Sequence, residues 1–340
     1  MPTQSKITTP LHTRILSVAP TPQTSSPLFG LLPGEVREHI FSYVLTDYPD
    51  PSPDRRYASD TCYTRPSYFA PRRSDTALLQ TCRAAYAETW FLPFVLREQV
   101  HFLTHPNRAP PEYIGIQELT MHLQRIKDQT GVDAMEIAGL RVFAQMWKIE
   151  QGDLSGVLGL AGLLPRVFTL TVRHTDWWFW ERDEPLRFEA GWIGGVCAVL
   201  PASVREVRIE LESTVRRKDQ VDAIVKQMSH RWFFARKDGL VLYADATGRA
   251  CEVSRWRGES TWHGRRGRTD ETEPGVIDYY VVSVPFRPKH VVERRGGRVD
   301  EKVKRAAEDR VFDPRVMRLD ARDTDINEAD QSSDGDFSDS

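Results

Sequence analysis

Apolar residues first recur at helical spacing in residues 33–45, where Val36, Ile40, Tyr43 and Val44 fall at i, i+4, i+7 and i+8 and line one helix face. Pro33 suits the first helical position, and Glu35 sits near the positive end of the dipole. The 36–40–44 line makes Ile40 the inward residue. Phe41, about 100° further round the helix, then lies at the edge of that face. A second helix is expected from Asp75 as N-cap, with Leu78, Cys82, Ala85, Tyr86 and Thr89 on one face, which makes Cys82 a core residue. Between the two, residues 46–74 carry Pro49, Pro51, Pro53, Pro66 and Pro71 among charges and tyrosines. They read as a long, mostly irregular insertion.

Beyond about residue 112 the pattern changes to strands alternating with helices. Three segments share the spacing apolar-x-x-apolar-x-apolar: Ile116-Leu119-Met121, Val167-Leu170-Val172 and Val204-Val207-Ile209. Thr120, Thr171 and Arg208 alternate with them, so the sheet is expected to have a polar face. Helical faces are expected at Ala138-Val142-Met146-Ile149, at Trp192-Ile193-Val196-Cys197-Leu200 and at Val221-Ile224-Val225-Met228. Such alternation predicts parallel strands joined by crossovers. The unequal steps between strands make this a degenerate leucine-rich-repeat-like layer rather than a true solenoid. Later strands at residues 239–245, 251–256 and 278–284 would extend or cap the sheet.

Length and composition then bound the answer. The chain has 340 residues, enough for about two domains at ~150 residues each. Its net charge of −2 excludes a wholly basic nucleic-acid binder and a wholly acidic disordered chain. The charge is unevenly spread: residues 320–340 hold eight acids against Arg322, leaving the rest of the chain basic. That stretch reads as an acidic disordered tail, and residues 1–27 as a disordered Pro/Thr/Ser tail whose prolines block an amphipathic leader helix. The division expected is therefore a tail (1–27), a helical module (28–111) with its insertion, an α/β layer (112–285), a charged segment with helical character (286–319) and the acidic tail (320–340). The longest apolar runs, residues 157–164 and 192–200, fall well short of the ~18 residues a membrane span needs. Cys62, Cys82, Cys197 and Cys251 stand far apart with no CxxC, which fits an intracellular protein of cytoplasm or nucleus.

Catalytic chemistry is not legible in this sequence. Residues 152–156 miss the nucleophile-elbow spacing G-x-S-x-G by one position, and Gly156, Gly159 and Gly162 miss the dinucleotide fingerprint. His101 and His105 are four apart, but Pro106 argues against a helix holding both as metal ligands. No enzyme, cofactor or metal is expected. Trp177, Trp178 and Trp180 form the densest aromatic patch. They read mainly as anchors continuing a strand, with a binding surface as the sharper alternative. Residues 255–268 interleave five arginines with Trp256 and Trp262, a pattern that can stack bases, though a solvated loop explains it more simply.

The segment Leu28-Phe29-Gly30-Leu31-Leu32-Pro33-Gly34-Glu35-Val36-Arg37-Glu38-His39-Ile40-Phe41 resembles the opening of an F-box, whose pattern is Leu-Pro-x-Glu followed by a hydrophobic residue and Ile-hydrophobic. Together with Leu78-Leu79-Gln80-Thr81-Cys82-Arg83-Ala84-Ala85-Tyr86, it is similar to the F-box-like proteins of filamentous fungi. The resemblance implies docking on the Skp-type adaptor of a cullin ubiquitin ligase through Leu32, Pro33, Val36, Ile40 and Phe41, while the C-terminal layer recruits a protein substrate. An F-box normally runs on within a few residues, whereas here the insertion intervenes. The expectation is a non-enzymatic α/β protein-interaction module. Its rival is a self-contained scaffold without ligase contact, touching nucleic acid, if at all, through residues 255–268.

Overall fold

The computed structural model describes residues 11–262, 265–266 and 270–323. The chain enters through α1 (Leu11–Leu16), which lies against a later helix instead of trailing as a tail. His12 is what holds it there: its ring meets Trp90 edge-on at 4.5 Å, and its Nδ1 is 2.7 Å from the Tyr86 hydroxyl. Residues 11–16 therefore correct the expectation of a disordered N-terminus, while residues 1–10 lie outside the described residues. Helix α2 (Gly34–Leu45) follows, one residue later than expected, with Pro33 as its N-cap.

The second expected helix is broken. A 3-10 turn (Ala77–Gln80) precedes α3 (Arg83–Thr89), and Cys82 between them is extended. Its Sγ accepts the Ala85 N–H at 3.4 Å, so Cys82 is a half-buried N-cap rather than a core residue. Asp75 caps only the 3-10 turn, accepting the Ala77 N–H at 2.9 Å. A short helix α4 (Leu92–Leu96) then packs on the sheet.

The sheet is built from β1 (Glu98–Leu103), α5 (Ile116–Thr130), β2 (Met135–Ala144), α6 (Met146–Glu150), α7 (Asp153–Leu158), β3 (Leu163–Val172), α8 (Ile193–Val199) and β4 (Glu206–Thr214). It continues with α9 (Lys218–Arg231), β5 (Phe233–Ala235), β6 (Val241–Tyr243), β7 (Glu252–Glu259) and β8 (Val276–Pro288), and α10 (Glu301–Glu308) packs behind it. The strand order is β1-β2-β3-β4-β8-β6-β5. The first four strands are parallel neighbours, and β8 runs antiparallel to β4. The far edge of β8 carries β7 along residues 276–283 and β6 at residues 287–288. The protein is thus mixed α/β. No helix among the described residues is long and apolar enough to cross a membrane.

Register fixes the two faces. Val142 lies beside Leu170, Leu170 beside Ile209, and Val172 beside Leu211. These side chains join the helices in one large core. Leu170, Val172, Val207 and Ile209 thus take the strand positions expected of them. Two neighbouring assignments are corrected. Residues 116–121 belong to α5, where Leu119, Leu123 and Ile126 recur at i, i+4 and i+7, face inward, and leave Met121 exposed. Gly131 closes that helix in the left-handed conformation, at φ +69°. Residues 138–149 are not one helix. Val142 belongs to β2, and Met146 and Ile149 to α6. Strand β2 is covered on both faces, and a strand apolar on both faces loses the alternation that would reveal it.

Beyond β8, Val292, Val303, Ala307, Met317 and Leu319 enter the same core, so the charged segment 286–319 is built into the body. Leu319–Asp320 pairs with Arg187–Phe188, which buries Asp320 at the point where the acidic tail was expected to begin. Arg322, with Arg318, holds the Asp320 carboxyl down at about 2. Residues 324–340 lie outside the described residues.

The insertion covers the polar face of the sheet. Its ends are tied by a ladder pairing Asp47–Pro49 with Arg72–Ser74, and Tyr57 N–H donates to the Phe69 carbonyl at 2.8 Å. From it Arg65 reaches Glu210 at 3.0 Å and Glu212 at 3.4 Å. Arg141 of β2 donates to Glu98, Thr171 and Glu210. The Phe143 ring is faced by the guanidiniums of Arg65, Arg141 and Arg173 at 5.7, 6.0 and 5.3 Å. Burial disfavours the ionised form of Glu210, yet Arg65 and Arg141 outweigh this and hold its carboxyl below the usual range.

Candidate docking face

Helix α2 carries two apolar lines, and only one can face the small core beside it. The line that does so is Phe41–Leu45. Both side chains are buried with Leu92, among Leu28, Phe29, Leu78, Leu79 and Phe91. Arg37, one turn before Phe41, locks that side. Its Nε and Nη2 donate to the Glu88 carboxylate at 3.1 and 3.0 Å, Nη1 donates to the Leu32 carbonyl at 2.8 Å, and the guanidinium lies over Phe29. A bidentate pair of this kind fixes both position and rotation of a helix.

The orientation expected of Ile40 and Phe41 is therefore reversed. Phe41 is 1% exposed and Ile40 is 40% exposed. The reason is shape: Phe29 and Phe91 build a ring-lined hollow that a phenyl group fills, and the β-branched 36–40–44 line is left outward. The outward line consists of Val36, Ile40 and Val44, with Tyr43 beside it and Leu31 just before the helix. Of the residues that the resemblance points to, Val36, Ile40 and Pro33 share the exposed side, Leu32 is half-buried, and Phe41 is removed from it. Leu31, Tyr43 and Val44 are additional members of that face. Tyr43 and Val44 were visible in the helical pattern, but as part of a stripe assigned to the interior.

The tryptophan patch does not continue a strand. Strand β3 stops at Val172, Asp176 closes a 3-10 turn by accepting from the backbone and guanidinium of Arg173, and Phe179 is left-handed at φ +50°. Trp177 is buried and its Nε1 donates to the Glu212 carbonyl at 2.9 Å. Trp178 Nε1 donates to Glu150 at 2.6 Å, and Trp180 meets the His174 ring at 5.5 Å. All three anchor the loop.

The described part of the Arg/Trp segment is also engaged within the chain. Trp256 stacks on Tyr279 at 4.0 Å and donates to Glu212 at 3.0 Å. Gly258 permits this, since a Cβ there would come within 2.5 Å of the Trp256 ring. Arg255 lies over Tyr280, and Arg257 pairs with Glu273 and Asp278. The remainder of residues 255–268 lies in part outside the described residues.

One constellation has the residue types of a hydrolase. His174 Nδ1 is 3.4 Å from Ser213 Oγ, and its Nε2 is 3.8 Å from Asp270. Ser213 is fully buried, Asp270 is drawn to Arg216 and Thr214, and the cavity beside His174 measures about 20 Å³, room for about one water. Burial pushes His174 down to about 4. The three groups are packed without room for a substrate. Among the described residues no group of His, Cys, Asp and Glu is placed to hold a metal ion.

Comparison with family models, with curated proteins and with solved structures gives no match to this chain.

Proposed function

We propose that the protein is a non-enzymatic interaction module of F-box-like type. In this reading the outward face of α2 docks on the Skp-type adaptor of a cullin ubiquitin ligase. The repeat-like parallel layer behind it recruits a protein substrate. One observation carries the reading: Val36, Ile40, Tyr43 and Val44 form an exposed apolar stripe, with Leu31 exposed just before it, on a helix whose opposite side is already fixed by Phe41, Leu45 and the Arg37–Glu88 pair. An apolar stripe rimmed by polar residues, here Glu35, Glu38 and His39, is the usual mark of a protein interface.

The experiment is co-expression with the adaptor followed by affinity capture. Wild type retains adaptor in stoichiometric amount. Ile40→Asp or Tyr43→Asp, both on exposed positions, loses it while melting as wild type does. Failure of the wild type to retain adaptor defeats the reading.

The self-contained scaffold has its own support, the burial of Phe41. Phe41 is buried by its own helical neighbours and not by the insertion or the sheet, however, so the outward stripe stays uncovered. The scaffold reading predicts no capture by any variant.

A further inference from the structure

Between the N-terminal helices and the outer edge of the sheet lies a cleft of about 400 Å³, a size typical of small-molecule sites. Its lining includes the rings of Trp90, Phe94 and Tyr113 and the side chains of Leu119 and Leu140, set among polar groups such as Gln99, His101 and His122. Two polar features accompany the rings. The first is His12, 8% exposed, which lines the cleft and whose Nε2 has no hydrogen-bond partner. Burial and the neighbouring charge of Arg125 lower its pKa, so the ring is neutral near pH 7. Burial raises the pKa of Tyr86, which keeps its hydroxyl protonated and able to donate to Nδ1. With the hydroxyl donating to Nδ1, the ring hydrogen falls on Nε2, which would then be a buried donor awaiting an acceptor.

The second feature is charge. Arg125 lines the cleft, and among the described residues it has no ion pair or hydrogen bond. Arg97, also in the lining, reaches Asp47 only at 3.9 Å. Against them stands Glu118, already turned toward His122 at 3.9 Å. The cleft therefore offers aromatic rings among polar groups, one buried ring nitrogen without a partner and a surplus of guanidinium charge. A ring with nothing charged on it would leave the donor and Arg125 unused, and a bare anion would leave the ring walls unfilled.

We infer that this cleft binds a planar aromatic ligand bearing one anionic group, a carboxylate or a phosphate monoester. The ring packs among Trp90, Phe94 and Tyr113, and the anion is held by Arg125 and the Nε2–H of His12. Adaptor docking through α2 plays no part in this, so either result below leaves that reading untouched.

The test is titration calorimetry of the full chain with four probes: AMP and 2-naphthoate as the anions, adenosine and 2-naphthamide as their neutral counterparts. At least one anion binds saturably and at least about tenfold more tightly than its neutral partner, a difference of about 1.4 kcal/mol. Which anion it is separates the phosphate source from the carboxylate source. Arg125→Gln, at an exposed position, weakens the anion about tenfold and leaves the neutral probe unchanged. His12→Phe does the same, with a thermal melt of each variant to confirm folding. Inorganic phosphate alone gives no saturable heat. The inference is overturned if neither anion binds, if the neutral probes bind as tightly, or if both folded variants keep wild-type affinity.

Discussion

Phe41 and Ile40 show how much a single rotation about a helix axis decides. Both are large and apolar, and periodicity alone favoured the 36–40–44 line for the interior. What reverses it is Phe29, Phe91 and the Arg37 clamp, none of which the local pattern encodes. Phe41→Ala should therefore cost about 3–5 kcal/mol, the usual cost of emptying a buried phenyl site. Ile40→Ala should cost under about 1 kcal/mol and act mainly on adaptor capture. Chemical denaturation of both variants checks the order; equal losses would put Ile40 in the core after all. A second residue-scale prediction concerns His101, which burial pushes down to about 4. Above pH 6.5 the folded and unfolded chains both hold it neutral, and pH has no leverage. Between 6.5 and about 4 the unfolded chain binds a proton that the folded chain refuses, so stability falls as pH falls. The loss is bounded at about 3 kcal/mol. His101→Gln, which keeps a partner for Tyr113 without titrating, should flatten that part of the stability curve in melts from pH 7 to 4. A slope unchanged by the substitution would assign the effect to other groups.

Among elements, legibility in sequence followed the chemistry of the second face: strands β3 and β4 are covered on both sides, but Thr169, Thr171 and Glu212 keep that face polar and the alternation readable. Helices α8 and α9 and strands β3 and β4 have one clear buried pattern, and they lie where the apolar spacing put them. Strand β2 carries apolar residues on both sides, Val142 on one and Phe143 on the other, so its spacing reads as helical. The opposite error befell residues 116–121, where Leu119 and Met121 imitate a strand that α5 overrides. The insertion was legible only as an interruption. Its prolines and charges announce loop backbone, but nothing local announces that Arg65 will cross to Glu210 and Glu212. That contact predicts how the element behaves. Removing one member of a buried pair leaves the other charge uncompensated, typically at about 3–5 kcal/mol. Arg65→Met should loosen residues 55–70 and make them the first site of limited proteolysis, where wild type resists. Acid should mimic it. Glu210 has a depressed pKa in the folded chain, so its contribution is complete above its ordinary value and is lost as pH falls through the lowered one. Cleavage at the same rate in wild type and variant would show that Arg65 is not the pin. The docking face was half legible: its residues were named, but the side of α2 they share was not.

For the whole molecule, the decisive feature is that residues after β8 belong to the core. Ending the chain at residue 288 removes Val292, Val303, Ala307, Met317 and Leu319 together. Such a truncation should be insoluble or lack a cooperative melt, whereas ending it at 323 should leave the melting temperature within about 2 °C of wild type, a shift worth only about 1–1.5 kcal/mol at this size. Equal solubility of the two would separate residues 289–323 from the core. No stretch of sequence could announce this. Residues 286–319 are charged overall, and their buried positions are single valines and alanines spaced among arginines and glutamates. Strand β8 carries a consequence for how the protein is made. It is among the last strands to leave the ribosome, yet its place is between β4 and the pair β7 and β6. Until residue 288 has emerged, β4 has an open edge and the older strands form a sheet missing its middle. Four parallel strands can assemble as they are synthesised, but the closing strand, which begins at Val276, arrives only after all of them have been made. During that interval the open edge of β4 is a ready template for any other exposed strand, so the stage before β8 docks should be the one at which the chain is most prone to mispairing.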